Sequence, residues 1–352
     1  MKIIRLCTFL DFGGLEQRLV NLSHIEDENE WIFCALGKGG AAAEQISKNG
    51  KKVILLEADF RIPSFKTIYN LIKLFYKERP DIVHTSGAEA NFHGIIAAKL
   101  AGVKKLIAEE IGIPNQKFYH KKLSQFLFRF PEYIVSNSRI VGDYLLKENK
   151  IKKGKLKIIA NPILSKPIVI PHANEKEFQL LTISRLIPVK NIEGIFRAIS
   201  SLSKEGYSIK FTIIGEGPIR GKLNELATDL GIISIIEFKG FIARPWEEVE
   251  KTNLFILNSF TEGFSNALAE AMAAGVPCLA TKVGAAEDMI EDGVSGWLVN
   301  QGDDAELYAK LKSLMNKDKA ELKKIGLIGR LCIMSKFTIK EHVKNLLELY
   351  QH

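Results

Sequence analysis

The feature that most restricts the fold of this chain is a repeated alternation. Short β-rich runs alternate with longer amphipathic segments, and the whole pattern occurs twice. In the first half the runs are KIIRLCTF, WIFCAL, KKVILL, DIVHTS, KLIAEE and YIVSNS, separated by helix-like segments of roughly 10–15 residues. Alternation of this kind implies right-handed strand–helix–strand units and a parallel sheet covered on both faces. Near residue 160 the rhythm breaks. NPILSKPIVIPHANEK brings Pro162, Pro167 and Pro171 close together, which reads as an extended linker. The pattern then restarts with FQLLTIS, KFTIIGEG, IIEFKG, LFILNS, VPCLAT and GWLV, and the stretch from about Lys319 reads as two more helices.

A chain of 352 residues exceeds what one hydrophobic core usually supports. The expected architecture is therefore α/β, with two Rossmann-like domains spanning 1–165 and 166–335. The last helix, about 336–352, is expected to pack back on the first domain. In open sheets of this type ligands collect beyond the carboxyl ends of the strands. Two such domains facing each other enclose a cleft, and functional residues should lie just after strands.

Composition narrows the function classes. With 46% hydrophobic and 26% charged residues the chain is that of an ordinary globular protein, and disorder is excluded. The excess of 49 basic over 41 acidic residues, +8, fits attraction to anionic lipid, acidic saccharide or nucleotide phosphate. No nucleic-acid partner is expected, because the basic residues build no reading motif. Cys7, Cys34, Cys278 and Cys332 are scattered, with no Cys-x-x-Cys and no paired histidines, which argues against zinc and disulfides and for a reducing compartment. The start MKIIRLCTFLDFGG is interrupted by Arg5 and runs into the fold pattern, so it does not read as a leader. No run approaches the ~20 apolar residues that span a bilayer. The expected location is cytoplasmic, with any membrane contact peripheral, at the inner face of the plasma membrane.

The most specific chemistry lies in NSFTEGFSNALAEAMAAGVPCLAT, residues 258–281. An apolar strand ends, a turn containing Gly263 follows, and a helix begins near Ser265 or Asn266, both good N-caps. Gly275 and Pro277 end it. Glu262 precedes the helix and Glu270 lies inside it, eight positions on. That spacing is about two turns, so both carboxylates can face one ligand at different depths. The amides of Phe264, Ser265 and Asn266 sit at a helix N-terminus, which favours anions. Carboxylates accept from sugar hydroxyls and amides donate to phosphate, which together describe a site for a sugar joined to a diphosphate. Two glutamates at this spacing are more often solvent-facing charges. Glu270, however, lies in LAEAMAAG among small and apolar residues, where a charge needs a partner.

This segment resembles the donor-site motif of glycosyltransferase family 4, retaining enzymes with the GT-B fold. Their pattern is EGF-x-N-x-x-x-E-A-M-A-x-G-x-P, and residues 262–277 match it. The resemblance implies that Glu262 contacts the transferred sugar and Glu270 the nucleotide ribose. TISRLIPVKN (182–191) supplies Arg185 and Lys190, two cations that would neutralise charge developing on the departing diphosphate. In the family the corresponding pair replaces a metal, so no cofactor and no metal are expected. IIGEGPIRGKLNELA, with Gly215, and FKGFIA, with Phe241, also look like the family. Gly215 reads as part of a turn with phosphate contact possible, and the backbone at Phe241 would face the nucleobase.

In the first domain FLDFGGLEQRLVNLS places Gly13 and Gly14 after the first strand, and family members use this loop near the donor phosphates and the acceptor. His84 ends a strand and is an acceptor-side candidate. Many members carry a histidine after the next strand, where this chain has IAEEIGIP. Glu109 and Glu110 are the candidate substitutes, with Glu110 the better placed, beside Ile111 and Gly112. No protein nucleophile is implied, since the donor phosphate assists deprotonation of the acceptor. GFSNA resembles a nucleophile elbow, but Ala267 occupies the last glycine position.

The expected activity is hexosyl transfer from a nucleotide-sugar, with UDP the commonest carrier, to a saccharide or lipid-linked acceptor. Bacterial surface polysaccharide or glycolipid assembly is the implied setting. A nucleotide-sugar 2-epimerase and a non-catalytic binding subunit are the alternatives. NQKFYHKKLSQFLFRF (115–130) and KENKIKKGKLK (147–157) mix aromatic and basic residues and are candidates for contact with an anionic membrane.

Overall fold

Runs rich in isoleucine, leucine and phenylalanine become strands buried on both faces, as a helix-covered parallel sheet requires. The computed structural model of the chain describes residues 1–11, 13–113, 118–163, 177–242 and 246–351, with backbone alone at 118–120, 246 and 247. It divides into two units, Met1–Leu164 with Ile339–His352, and Ser165–Thr338.

The first unit opens with β1 (Lys2–Cys7), α1 (Gly14–Leu22), β2 (Glu30–Ala35), α2 (Ala41–Lys48), β3 (Lys52–Leu55) and α3 (Phe65–Glu78). It continues with β4 (Ile82–Ser86), α4 (Ala88–Leu100), β5 (Lys105–Glu110), α5 (Phe118–Leu127), β6 (Tyr133–Ser136), α6 (Arg139–Glu148) and β7 (Leu156–Ile158). In the second unit the strands are β8 (Phe178–Ile183), β9 (Ile209–Ile214), β10 (Ile236–Gly240), β11 (Leu254–Leu257), β12 (Cys278–Thr281) and β13 (Trp297–Val299). Its helices are α7 (Ile192–Lys204), α8 (Arg220–Asp229), α9 (Trp246–Glu250), α10 (Asn266–Ala273), α11 (Ala286–Met289), α12 (Asp304–Met315) and α13 (Lys319–Lys336). The final helix, α14 (Ile339–Gln351), belongs to the first unit.

The first sheet has the order β3-β2-β1-β4-β5-β6-β7 and the second β10-β9-β8-β11-β12-β13. The pairings are parallel. Successive strand residues point to opposite faces, and this splits the first unit into two cores. Ile4, Leu6, Val83 and Ala108 face α3, α4, α5 and α6. Ile3, Cys7, Ile82 and Ile107 face α1, α2 and α14, the last contributing Leu346, Leu349 and Tyr350.

One strand was not foreseen. β7 overlaps the end of the lysine-rich run 147–157, and its Lys157 belongs to a sheet edge, where charge is common. Lys155 donates to the carbonyls of Arg129 and Pro131 at 2.8 and 2.7 Å, and Lys157 lies over the Tyr133 ring. That part of the basic surface is therefore engaged within the fold. In the segment 115–130, Leu127 and Phe128 are buried while Phe126 and Phe130 are exposed. Lys121 is ion-paired with Glu148. Residues 115–117 and the side chains of Phe118 and Tyr119 lie outside the described residues, as do Pro167 and Pro171. Among the described residues no helix is long and apolar enough to cross a membrane.

Candidate functional site

In the second unit the loops leaving β8, β9, β10 and β11 are stitched to one another through their backbones. Ser184 N donates to Ile214 O, Leu186 N to Glu216 O, Gly215 N to Gly240 O and Phe260 N to Val189 O, all at 2.8–2.9 Å. Asn191, in the left-handed conformation at φ 45°, caps α7 by accepting from Gly194 N. Its carbonyl is held by Asn258 Nδ2 at 3.0 Å. These bonds fix the carboxyl ends of the strands, where Lys190, Glu262 and the start of α10 meet.

Lys190 ends a short turn of 3₁₀ helix, Pro188–Lys190. Its Nζ donates to Glu262 Oε1 at 2.5 Å, and Ser259 Oγ donates to the same oxygen at 2.7 Å. The Lys190 and Glu262 side chains are only 16% and 12% exposed, so this is a largely desolvated pair rather than a surface one. Arg185 is exposed and makes no ion pair among the described residues. The two cations thus differ, one already docked on the first glutamate and one open to solvent.

α10 begins where the motif placed it. Ser265 is the N-cap and its Oγ accepts from Leu268 N. The cap places the positive end of the helix dipole at this turn. Phe264 turns inward, its ring 5.8 Å from that of Phe337, and pins the loop from below. Glu270 is half-buried on the second turn, and Asn266 opens the first. Phe241 is 62% exposed just after β10.

Gly263 is held through its carbonyl, which accepts from Ala285 N at 2.9 Å. This contact exposes a residue the sequence reading missed. Gly284 sits at φ +58°, and a Cβ there would lie 2.4 Å from Gly263 O and 2.8 Å from Glu262 O. Only glycine lets the two turns touch. Gly284→Ala is therefore expected to destabilise the second unit by roughly 1–3 kcal/mol from backbone strain alone and to displace Glu262. A melting curve that coincides with wild type would mean the turn is not held this way.

Gly215 requires a correction. Its amide is spent on Gly240, and at φ +137° a Cβ would lie 1.9 Å from Ser184 O. The glycine serves loop-on-loop packing, and its N–H is not available to a phosphate.

In the first unit, Gly13 precedes α1 with extended backbone, φ 163°, which any residue adopts. A Cβ there would meet only the flexible end of Glu16, so the fold itself does not demand glycine. Gly14 is the first residue of α1.

His84 also requires correction, because it lines no opening. It is fully buried, and its Nδ1 lies 3.0 Å from Arg5 Nη1 and 2.7 Å from the Tyr350 hydroxyl. The guanidinium can only donate, so Nδ1 accepts and the proton sits on Nε2, 3.6 Å from Glu109. Burial, with Arg5 adding to it, holds the imidazole well below its ordinary range and therefore neutral.

Glu109 and Glu110 are neighbours on β5 and so face opposite sides of the sheet. Glu109 lies on the α1/α14 side. Arg18 Nη1 donates to its Oε1, Arg18 Nη2 to Oε2 at 2.6 Å, Arg5 to Oε2 at 3.2 Å and Ser86 Oγ at 2.7 Å. Burial would raise this carboxyl, but Arg18 and Arg5 overcome it and hold it well below the usual range. Glu110 faces the α3–α6 side, with no such cation acting on it among the described residues. Burial, with help from Glu109 and Glu89, pushes it up to about 8 despite a backbone hydrogen bond at Ile111. At neutral pH Glu109 is a charge committed to structure, whereas Glu110 carries a proton at a strand's carboxyl end. Among the described residues no group of three or more histidine, cysteine, aspartate or glutamate side chains is placed to hold a metal ion.

Two family models match the chain, "Glycosyltransferase Family 4" over residues 12–164 and "Glycosyl transferases group 1" over residues 168–327. The chain is 24% identical to the capsular polysaccharide biosynthesis glycosyltransferase CapM of Staphylococcus aureus, over 85% of this chain and 84% of the relative. It is 24% identical to the lipopolysaccharide 1,6-galactosyltransferase of Salmonella typhimurium, over 83% of each. Among solved structures, Anabaena HepE in complex with UDP superposes with a TM-score of 0.85 at 18% identity, covering 100% of both chains. The apo lipopolysaccharide outer core galactosyltransferase WaaB gives 0.79 at 20% identity, covering 99% of this chain and 98% of that one. The fold is that of these GT-B proteins.

Proposed function

This chain belongs to the group 1 and family 4 glycosyltransferases, and from that premise we propose that it transfers a hexose with retention from a UDP-sugar to a saccharide or lipid-linked acceptor. The proposed setting is bacterial surface polysaccharide or glycolipid assembly, the business of the capsular and lipopolysaccharide relatives by their names. The observation that carries the reading is the Lys190–Glu262–Ser259 contact at the mouth of α10. It sets a carboxylate for sugar hydroxyls beside a cation and a helix N-terminus suited to a diphosphate.

In this mechanism the first-turn amides of α10 and Lys190 take the charge that develops on the departing diphosphate, and Arg185 closes on it from solvent. Glu262 holds the transferred sugar and Glu270 the ribose. The transfer is metal-independent, since two cations of the chain itself supply the electrostatic work. Glu110, protonated, stands on the acceptor side.

The test is a thermal-shift screen in excess EDTA with UDP, GDP, ADP and their common sugars. A ligand at a hundred times its Kd stabilises by about 2.7 kcal/mol. The expected result is a shift with uridine ligands that Glu270→Ala loses. No shift with any nucleotide, from a folded sample, would leave a non-catalytic binding subunit as the better account.

A further inference from the structure

The outward side of α3 carries a surface that the motifs do not explain. Phe65, Lys66, Tyr69, Lys73, Tyr76 and Lys77 are all exposed, the three aromatics at 80%, 56% and 62%. At 3.6 residues per turn these six positions fall within an arc of about 120°. The opposite side buries Thr67, Ile68, Leu71 and Phe75, packing on the first unit's core. The helix has a single acid, Glu78, and it is turned inward against Lys52 at 2.7 Å. The exposed arc is thus aromatic and cationic throughout. Lys73 Nζ stands 4.5 Å above the Tyr69 ring.

We propose that this face of α3 docks the enzyme on an anionic lipid bilayer. Tyrosine and phenylalanine rings sit well at the headgroup boundary, and lysines on their flexible stems reach phosphates beside them. A protein partner fits this face less well, because protein interfaces are depleted of lysine while sharing the aromatics. The lysines provide charge complementarity to an anionic surface and to no acidic element of their own helix. This face stands apart from the sugar chemistry, although its purpose rests on the proposed lipid-linked acceptor.

The experiment is co-sedimentation of the full chain with vesicles of phosphatidylglycerol and phosphatidylcholine in equal parts, and with phosphatidylcholine alone. The wild type is compared with Lys66→Glu/Lys73→Glu/Lys77→Glu and with Phe65→Ser/Tyr69→Ser. Each lysine near an anionic surface contributes about fivefold in partitioning, so the triple reversal is expected to lose at least about 100-fold. The aromatic pair should weaken binding as well, and phosphatidylcholine alone should bind little. The UDP-ligand thermal shift serves as the folding control and should be unchanged in every variant, so failure here is separable from failure of the donor site. The proposal is overturned if the wild type ignores anionic vesicles, or if both variants bind as it does. It is equally overturned if the wild type sediments as a dimer that the variants dissolve, since the face would then serve a second copy.

Discussion

Lys190→Ala is expected to slow sugar transfer by about 100- to 1,000-fold, the usual cost of losing one preorganised charge donor at a developing anion. The position is unusual in doing two things at once. Lys190 neutralises Glu262, which also accepts from Ser259. In the proposed mechanism the same ammonium faces both the carboxylate that holds the sugar and the oxygens that leave it. Its removal therefore strikes kcat more than donor affinity. Glu262→Gln keeps the hydrogen-bonding shape but removes the charge that Lys190 balances, and should show the reverse emphasis, weakening donor binding as well. Steady-state kinetics with the donor identified by the thermal screen decide the matter. If Lys190→Ala alters KM alone, the lysine only organises the loop. The double variant should cost less than the sum of the two, because residues in direct contact do not add.

Glu109→Ala is expected to destabilise the first unit by at least about 3–5 kcal/mol, the cost of breaking a buried ion pair by removing one side. Here the carboxylate answers two guanidiniums, Arg5 and Arg18, both about 2% exposed or less, and its loss leaves both unbalanced. That is a large fraction of the roughly 5–15 kcal/mol of a typical domain. The pH dependence follows from the direction of its shift. The folded carboxyl is held below its ordinary value, so its stabilisation is fully present above the unfolded pKa of about 4.3 and is lost as the pH falls through the folded value. His342, pushed down to about 3 by burial and by Arg18, also sheds stability as the pH drops below about 6.5. The telling quantity is thus the difference between wild type and Glu109→Gln in urea unfolding. It should stay flat from neutral pH to roughly 5 and narrow below 4. A difference that is small at neutral pH would mean the arginines find other partners.

The architecture was legible because parallel strands buried on both faces leave unbroken apolar runs. All twelve runs read as strands from KIIRLCTF to GWLV lie in the two sheets. β7 escaped because an edge strand needs little apolar content, and Leu156–Ile158 is surrounded by lysines. The α10 motif was equally plain, since its chemistry is local: cap, turn and both glutamates lie within nine residues. What could not be read was pairing across distant segments. Gly284 matters only because its turn folds under Gly263. His84 looked like a free strand-end histidine because nothing near it in sequence announces Arg5 and Tyr350. A signal did exist, however. Arg5 and Glu109 are charges inside apolar strands at positions facing the same side, and charges so placed must find each other.

The way Tyr350 completes the environment of Arg5 has a consequence for how the protein is made. The two residues are 345 positions apart, and the whole second unit is encoded between them. The last strand of the first sheet ends at Ile158, and the roughly 190 residues from there to Tyr350 take on the order of 10–40 s at ribosomal speeds of roughly 5–20 residues per second. During that interval the first sheet has its strands but lacks the α14 side of its core, with Leu346, Leu349 and Tyr350 still unsynthesised. The nascent first unit therefore waits with an open apolar face and a half-satisfied arginine, while the second unit has everything it needs to close first.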